Sequence, residues 1–77
     1  MPALNSGHTM NIILNGKSHS LTKQCTIRSL IEQLELTGKR VAVEVNLDII
    51  PRSEHDKYQL HENDKVEVVH AIGGGAV

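Results

Sequence analysis

Met10-Asn11-Ile12-Ile13-Leu14-Asn15-Gly16-Lys17-Ser18-His19-Ser20-Leu21 decides how this chain begins to fold. A run of apolar β-formers leads straight into Asn-Gly. A two-residue type I′ turn needs positive φ at both central positions, which asparagine and glycine tolerate best. With Asn15 and Gly16 as the loop, Leu14 opposes Lys17, Ile12 opposes His19 and Met10 opposes Leu21. Met10, Ile12, Leu14 and Leu21 then share the core face of a hairpin, and Ile13 points the other way, toward solvent or a partner.

Downstream the period changes. Thr26 has a hydroxyl that can cap a helix, and Ile27, Leu30, Ile31 and Leu34 follow at i, i+3, i+4 and i+7, one helical stripe. Arg28, Ser29, Glu32, Gln33 and Glu35 take the opposite face. Gly38 is expected to end the helix in the left-handed conformation. A helix of about nine residues cannot stand alone in water, so it must lie on a sheet.

Val41-Ala42-Val43-Glu44-Val45-Asn46 alternates, with Val41, Val43 and Val45 inward. Ile49-Ile50 reads as a short continuation stopped by Pro51, which cannot donate to a ladder. Residues 51–64 hold turn formers, many charges and two apolar anchors, Tyr58 and Leu60, with Glu62-Asn63-Asp64 as a tight turn. Lys65 to His70 alternates again: Val66 and Val68 face inward, while Val69 and Ala71 share the opposite face with Ile13.

Hairpin, helix, strand, irregular excursion and strand can be arranged as an α+β layer fold, because one helix covers only one face of a sheet. The β-grasp, or ubiquitin-like, arrangement fits that order: a four- to five-stranded mixed sheet with one helix packed on one face. The domain is expected over residues 10–72. Residues 1–9 are expected to be a disordered leader or expression residues, and residues 73–77 a flexible Gly-rich tail.

Composition narrows the function. The chain has 77 residues, 39% hydrophobic and 22% charged, enough for one small core. A net charge of -1 with His neutral argues against a general nucleic-acid binder. Tyr58 is the sole aromatic residue, so no platform exists for stacking bases. No apolar stretch approaches a membrane span and the N-terminus lacks the regions of a secretory signal. Cys25 is the only cysteine, which rules out an intrachain disulfide and points to the cytoplasm.

The end of the chain, Ala71-Ile72-Gly73-Gly74-Gly75-Ala76-Val77, holds half of its six glycines. Glycines contribute nothing to a core and lose the most freedom on ordering. Two readings stand for such a segment: a frayed linker or cloning remnant, or a thin arm that threads a partner's narrow channel.

Taken together, Val41-Ala-Val-Glu-Val-Asn46, Ile50-Pro51-Arg52-Ser53-Glu54-His55 and Asp64-Lys-Val-Glu-Val-Val-His-Ala-Ile-Gly-Gly-Gly75 resemble the thiamine-pathway sulfur carrier proteins, the ThiS family, over roughly residues 10–75. The resemblance implies a carrier and not an enzyme: a protein co-substrate whose C-terminal glycine is adenylated with ATP by an E1-like enzyme, then converted to a thiocarboxylate that gives its sulfur to thiazole synthase. It implies no permanently bound cofactor and no metal. The implied partners are the E1-like adenylating enzyme, thiazole synthase and a sulfur donor, either a cysteine desulfurase or a sulfurtransferase. On this resemblance Gly75 is the activated residue, preferred over Gly74, and Ile72, Gly73 and Gly74 thread the partner's channel. Family members usually end at that glycine. Here Ala76-Val77 follow, and are expected either to be trimmed by a peptidase or to be expression residues. The alternatives are a β-grasp carrier for another sulfur product (molybdopterin, cysteine or methionine), a ubiquitin-like protein modifier and a plain interaction module.

Other polar residues read more plainly. His8, His19, His55, His61 and His70 fall on different elements without metal-ligand spacing and are expected at surfaces or edges. His70, at the root of the tail, joins Ile13, Val69 and Ala71 as the expected partner-docking face. Cys25 is expected to be a partly buried structural thiol, since no base is placed beside it. Arg52 is expected to solvate its turn, with contact to a partner's carboxylate or a nucleotide as the alternative.

Overall fold

The computed structural model describes residues 8–70. Strands β1 (Thr9–Leu14) and β2 (Lys17–Thr22) form the hairpin in the expected register: Leu14 opposes Lys17, Ile12 opposes His19 and Met10 opposes Leu21. Asn15 and Gly16 take φ of 50° and 85°, as a type I′ turn requires. Strand β1 starts at Thr9, and the carbonyl of His8 accepts from the Lys23 amide, so the fold reaches two residues further back than the sequence suggested.

Helix α1 (Ile27–Gln33) is seven residues long and buries Ile27, Leu30 and Ile31. Its free N-terminal amides are satisfied from two sources. The Thr26 hydroxyl accepts from the Ser29 amide, while the carbonyls of Tyr58 and His55 accept from Ile27 and Arg28. The irregular excursion therefore caps the helix through its backbone.

The helix stops earlier than expected. Glu35, not Gly38, is the left-handed terminator, at φ 61°, with Glu35 donating to the carbonyl of Glu32 and Leu36 to that of Ile31. This is a Schellman motif, and its apolar residue Leu36 turns back to pack against the core. Burial of Leu36 offsets the cost of a non-glycine in that conformation. Gly38, at φ 84°, shapes the turn that follows.

Strand β3 (Val41–Val45) is followed by a separate strand, β4 (Asp48–Ile50), antiparallel to it through Val43–Ile50, Glu44–Ile49 and Val45–Asp48. The linking turn is Asn46-Leu47, both at positive φ (52° and 75°), so Ile49-Ile50 belongs to a second hairpin and does not prolong β3. Asn46 also ties that hairpin to β5: its side chain donates to Asp64 and accepts from the Lys65 amide. After Pro51 comes a single 3-10 turn, Arg52–Glu54, and the chain reaches β5 (Lys65–His70) through a turn with Asn63 at φ 69°.

The strands lie in the order β2-β1-β5-β3-β4, a five-stranded mixed sheet. Strand β5 runs parallel to β1 and antiparallel to β3. The core fills the helix side, with Ile12, Ile27, Leu30, Val43, Val45 and Val66 fully enclosed. Leu60 is buried and Tyr58 half-buried, the two anchors of the excursion.

Candidate functional site

The root of the C-terminal arm is β5, the middle strand. Toward β3 it has five paired positions, Val66–Val45 through His70–Val41. Toward β1 its backbone pairing covers only Lys65–Ile13 and Val66–Leu14, because β1 ends there. Asn15 takes over beyond that point. Its Oδ1 accepts from the Val68 amide at 2.9 Å and its Nδ2 donates to the Val68 carbonyl at 3.2 Å. One side chain thus mimics a strand residue and holds β5 on both flanks to within two residues of His70, the last described residue.

The predicted threading and activation residues Ile72, Gly73, Gly74 and Gly75, together with Ala71, lie outside the described residues. The rest of the expected docking set is divided by the register. Val69 points to the face away from the helix and is 62% exposed. Ile13 points to the same face but is half-buried and sits beside Lys65, four residues back along β5 from Val69. At about 3.3 Å per residue that is roughly 13 Å, so the two do not form one patch. His70 shares parity with Val66 and Val68 and is paired with Val41, which places it on the helix side. The sequence reading grouped it with Val69 through proximity to the tail alone; alternation puts the two on opposite faces.

The neighbours of Val69 are found on β3 and β4. Ala42 is its partner across β3, Glu44 opposes Glu67 on the next outward-facing rung, and Ile49 flanks Glu44 from β4. Ile49 is 73% exposed, and Leu47, at the β3–β4 turn, 87%. Sequence reasoning missed both. The signal was present: Val45-Asn46-Leu47-Asp48 is a two-residue hairpin loop without its usual glycine.

On the helix side, next to the His70–Val41 pair, lies a cleft of about 250 Å³. Val41, Ile31 and Leu36 line it together with Arg28, Lys39 and Arg52. Arg28 is already engaged, with Glu32 at 3.4 Å and Asp56 at 3.2 Å. Arg52 is exposed on its turn and forms no ion pair among the described residues.

The histidines divide as well. His8, His61 and His70 are exposed, and His19 is half-buried, its Nε2 without a hydrogen-bond partner among the described residues. His55 departs from expectation: it is only 6% exposed, and its Nε2 lies 3.1 Å from the Ile50 carbonyl. With its carbonyl on the Arg28 amide, it pins the excursion to both the sheet and the helix. A polar residue in a turn-rich stretch shows no apolar periodicity that would reveal such burial. Among the described residues no group of three or more His, Cys, Asp or Glu could hold a metal ion, and no helix is long and apolar enough to cross a membrane. Cys25 is buried, its Sγ 3.4 Å from the Thr26 carbonyl, and burial pushes its thiol above the usual value of 9.0. A thiol held protonated is a structural group and a poor nucleophile.

Residues 12–75 match the model of the ThiS family. The chain belongs to the ThiS family. It is 38% identical over 63 residues to the sulfur carrier protein ThiS of Bacillus subtilis, covering 80% of this chain and 96% of that one. The crystal structure of the thiamine biosynthesis protein ThiS from Geobacter metallireducens superimposes with a TM-score of 0.72 at 28% identity, covering 86% of this chain and all of that one. The β-grasp fold expected from the order of elements is therefore the fold of this family. A thiazole synthase of Paramagnetospirillum magneticum is 34% identical over 67 residues, 87% of this chain but 21% of that protein. The chain thus spans about one fifth of the length of that relative.

Proposed function

We propose that this chain is a sulfur carrier of thiamine biosynthesis, activated at Gly75. The observation that carries the reading is the ThiS-family match, which runs through residue 75 and so includes Gly73-Gly74-Gly75 directly beyond the central strand. The chain acts as a protein co-substrate; the chemistry belongs to its partners.

In this reading an E1-like enzyme directs the Gly75 carboxylate onto the α-phosphorus of ATP, expelling pyrophosphate and leaving an acyl adenylate. A persulfide on a sulfur-donor protein then attacks the acyl carbon and AMP departs. Cleavage of the sulfur–sulfur bond by a second thiol leaves a thiocarboxylate. A Cβ at this position would obstruct approach to the acyl carbon, which is the physical argument for glycine. Residues 72–75, if extended at about 3.3–3.6 Å each, reach roughly 13 Å. The carboxylate must be that of Gly75 itself, so whatever follows it, here Ala76-Val77, has to be cut away first by a peptidase.

Thiazole synthase is the proposed acceptor. A relative bearing that name contains a region similar to most of this chain, which supports carrier and synthase working side by side. The test uses protein ending at Gly75, incubated with ATP, an E1-like enzyme and a persulfide donor. Intact mass should show one oxygen replaced by sulfur, and thiazole synthase should then return the carrier to its carboxylate form. A ladder of conjugates would instead mean a protein modifier, and an unchanged mass would refute the carrier reading.

A further inference from the structure

The outward face between β3 and β5 has an electrostatic arrangement that the isolated fold does not use. Glu44 and Glu67 are directly opposed across the antiparallel β3–β5 pair. Directly opposed residues have Cβ atoms about 4.5–5.5 Å apart, and like charges there destabilise the sheet. Among the described residues the ion pairs are Arg28–Glu32 and Arg28–Asp56, so neither of these two carboxylates is held in an ion pair. Lys65, two residues from Glu67 along β5, pairs with neither.

Apolar side chains border this acidic pair. Ile49 extends the same rung on the β4 side, and Val69 and Ala42 form the next outward-facing rung. Ile49 and Val69 are 73% and 62% exposed. Two carboxylates rimmed by bare aliphatic carbon suit a planar cation, which can bridge both while the rim is covered and water excluded.

Resting on the sulfur-carrier reading, we propose that Glu44 and Glu67 form a docking site for an arginine side chain of thiazole synthase, with Ile49 and Val69 as its apolar rim. The Paramagnetospirillum relative gives the occupant: one polypeptide there contains both this chain's counterpart and the remainder of a thiazole synthase. On docking, the cation neutralises the repulsion within the pair, so binding draws on an interaction that the free carrier lacks.

The test compares the full chain with Glu44→Gln/Glu67→Gln, measuring affinity for the thiazole synthase of the same organism by calorimetry at low and high salt. The double variant should bind at least about tenfold more weakly and lose most of the salt dependence seen for the native chain. Its melting temperature should equal or exceed that of the native chain, which separates lost docking from lost folding. Ile49→Ser, on the rim, should weaken binding at both salt concentrations.

Equal affinity of the native and double-variant chains overturns the proposal. So does absence of native binding, a loss seen only with the adenylating enzyme, or a loss traced to self-association. Thiocarboxylate formation, assayed separately, tells the two readings apart. A carrier that accepts sulfur while its glutamates are dispensable for docking removes only this inference. Glutamate-dependent docking without sulfur transfer removes only the carrier reading.

Discussion

Replacing Asn15 by glycine isolates the clamp on β5 from the turn that houses it. Glycine keeps the positive φ of 50° without strain, so the hairpin geometry survives and only the side chain is lost. That side chain makes two hydrogen bonds to Val68, at 2.9 and 3.2 Å, both part-buried. Each is worth about 0.5–1.5 kcal/mol, giving roughly 2 kcal/mol for the pair. For a domain of this size the loss corresponds to about 8–16 °C in Tm. Urea denaturation followed by circular dichroism measures the stability, and amide exchange at Val68 locates the effect. Asn15→Asp should also destabilise, because a carboxylate can accept from the Val68 amide but repels its carbonyl. The reasoning is refuted if Asn15→Gly loses less than about 0.5 kcal/mol and exchange at Val68 is unchanged.

Three further outcomes follow from the geometry. Leu47→Gly should stabilise the domain by about 0.5–1 kcal/mol, since φ of 75° costs a leucine more than a glycine and the exposed side chain packs little; the urea midpoint reads this directly. His55→Ala should cost about 2–4 kcal/mol, through the buried ring and the lost contact with the Ile50 carbonyl, measured as a fall in Tm. Cys25 should react with iodoacetamide far more slowly in the native protein than in urea. Its folded thiol titrates above 9.0, so folding favours the protonated form. Stability from this source is intact below pH 9.0 and declines as the pH rises through the folded value, which Cys25→Ala should abolish in alkaline unfolding curves.

Local chemistry made much of the fold legible. Asn15-Gly16 set the first hairpin and its register, Thr26 the helix cap, and the 27-30-31 spacing the buried stripe. The misses arise where distant contacts outweigh local preference. Glu35 ends the helix because Leu36 has a place in the core, and Asn46-Leu47 turns because the Asn46 side chain is bound by Asp64 and Lys65. His55 is buried by partners on two other elements. At the candidate site, alternation correctly put Val69 on the outward face. The pairing of Glu44 with Glu67 is invisible in one dimension, since it depends on how β3 and β5, separated by the whole excursion, are aligned. Asn15 had a second role, the grip on Val68, that a turn signal cannot announce.

The position of β5 also has a mechanical consequence. A pull applied beyond His70 acts along a strand bonded on both sides, so ladder bonds and the Asn15 clamp are loaded together, in shear. An edge strand such as β4 would instead peel away one bond at a time. Single-molecule stretching from the C-terminus should therefore require a higher rupture force than stretching attached at β4. On the proposed sulfur-carrier function, this arrangement lets the domain keep its shape while its end is drawn into another molecule.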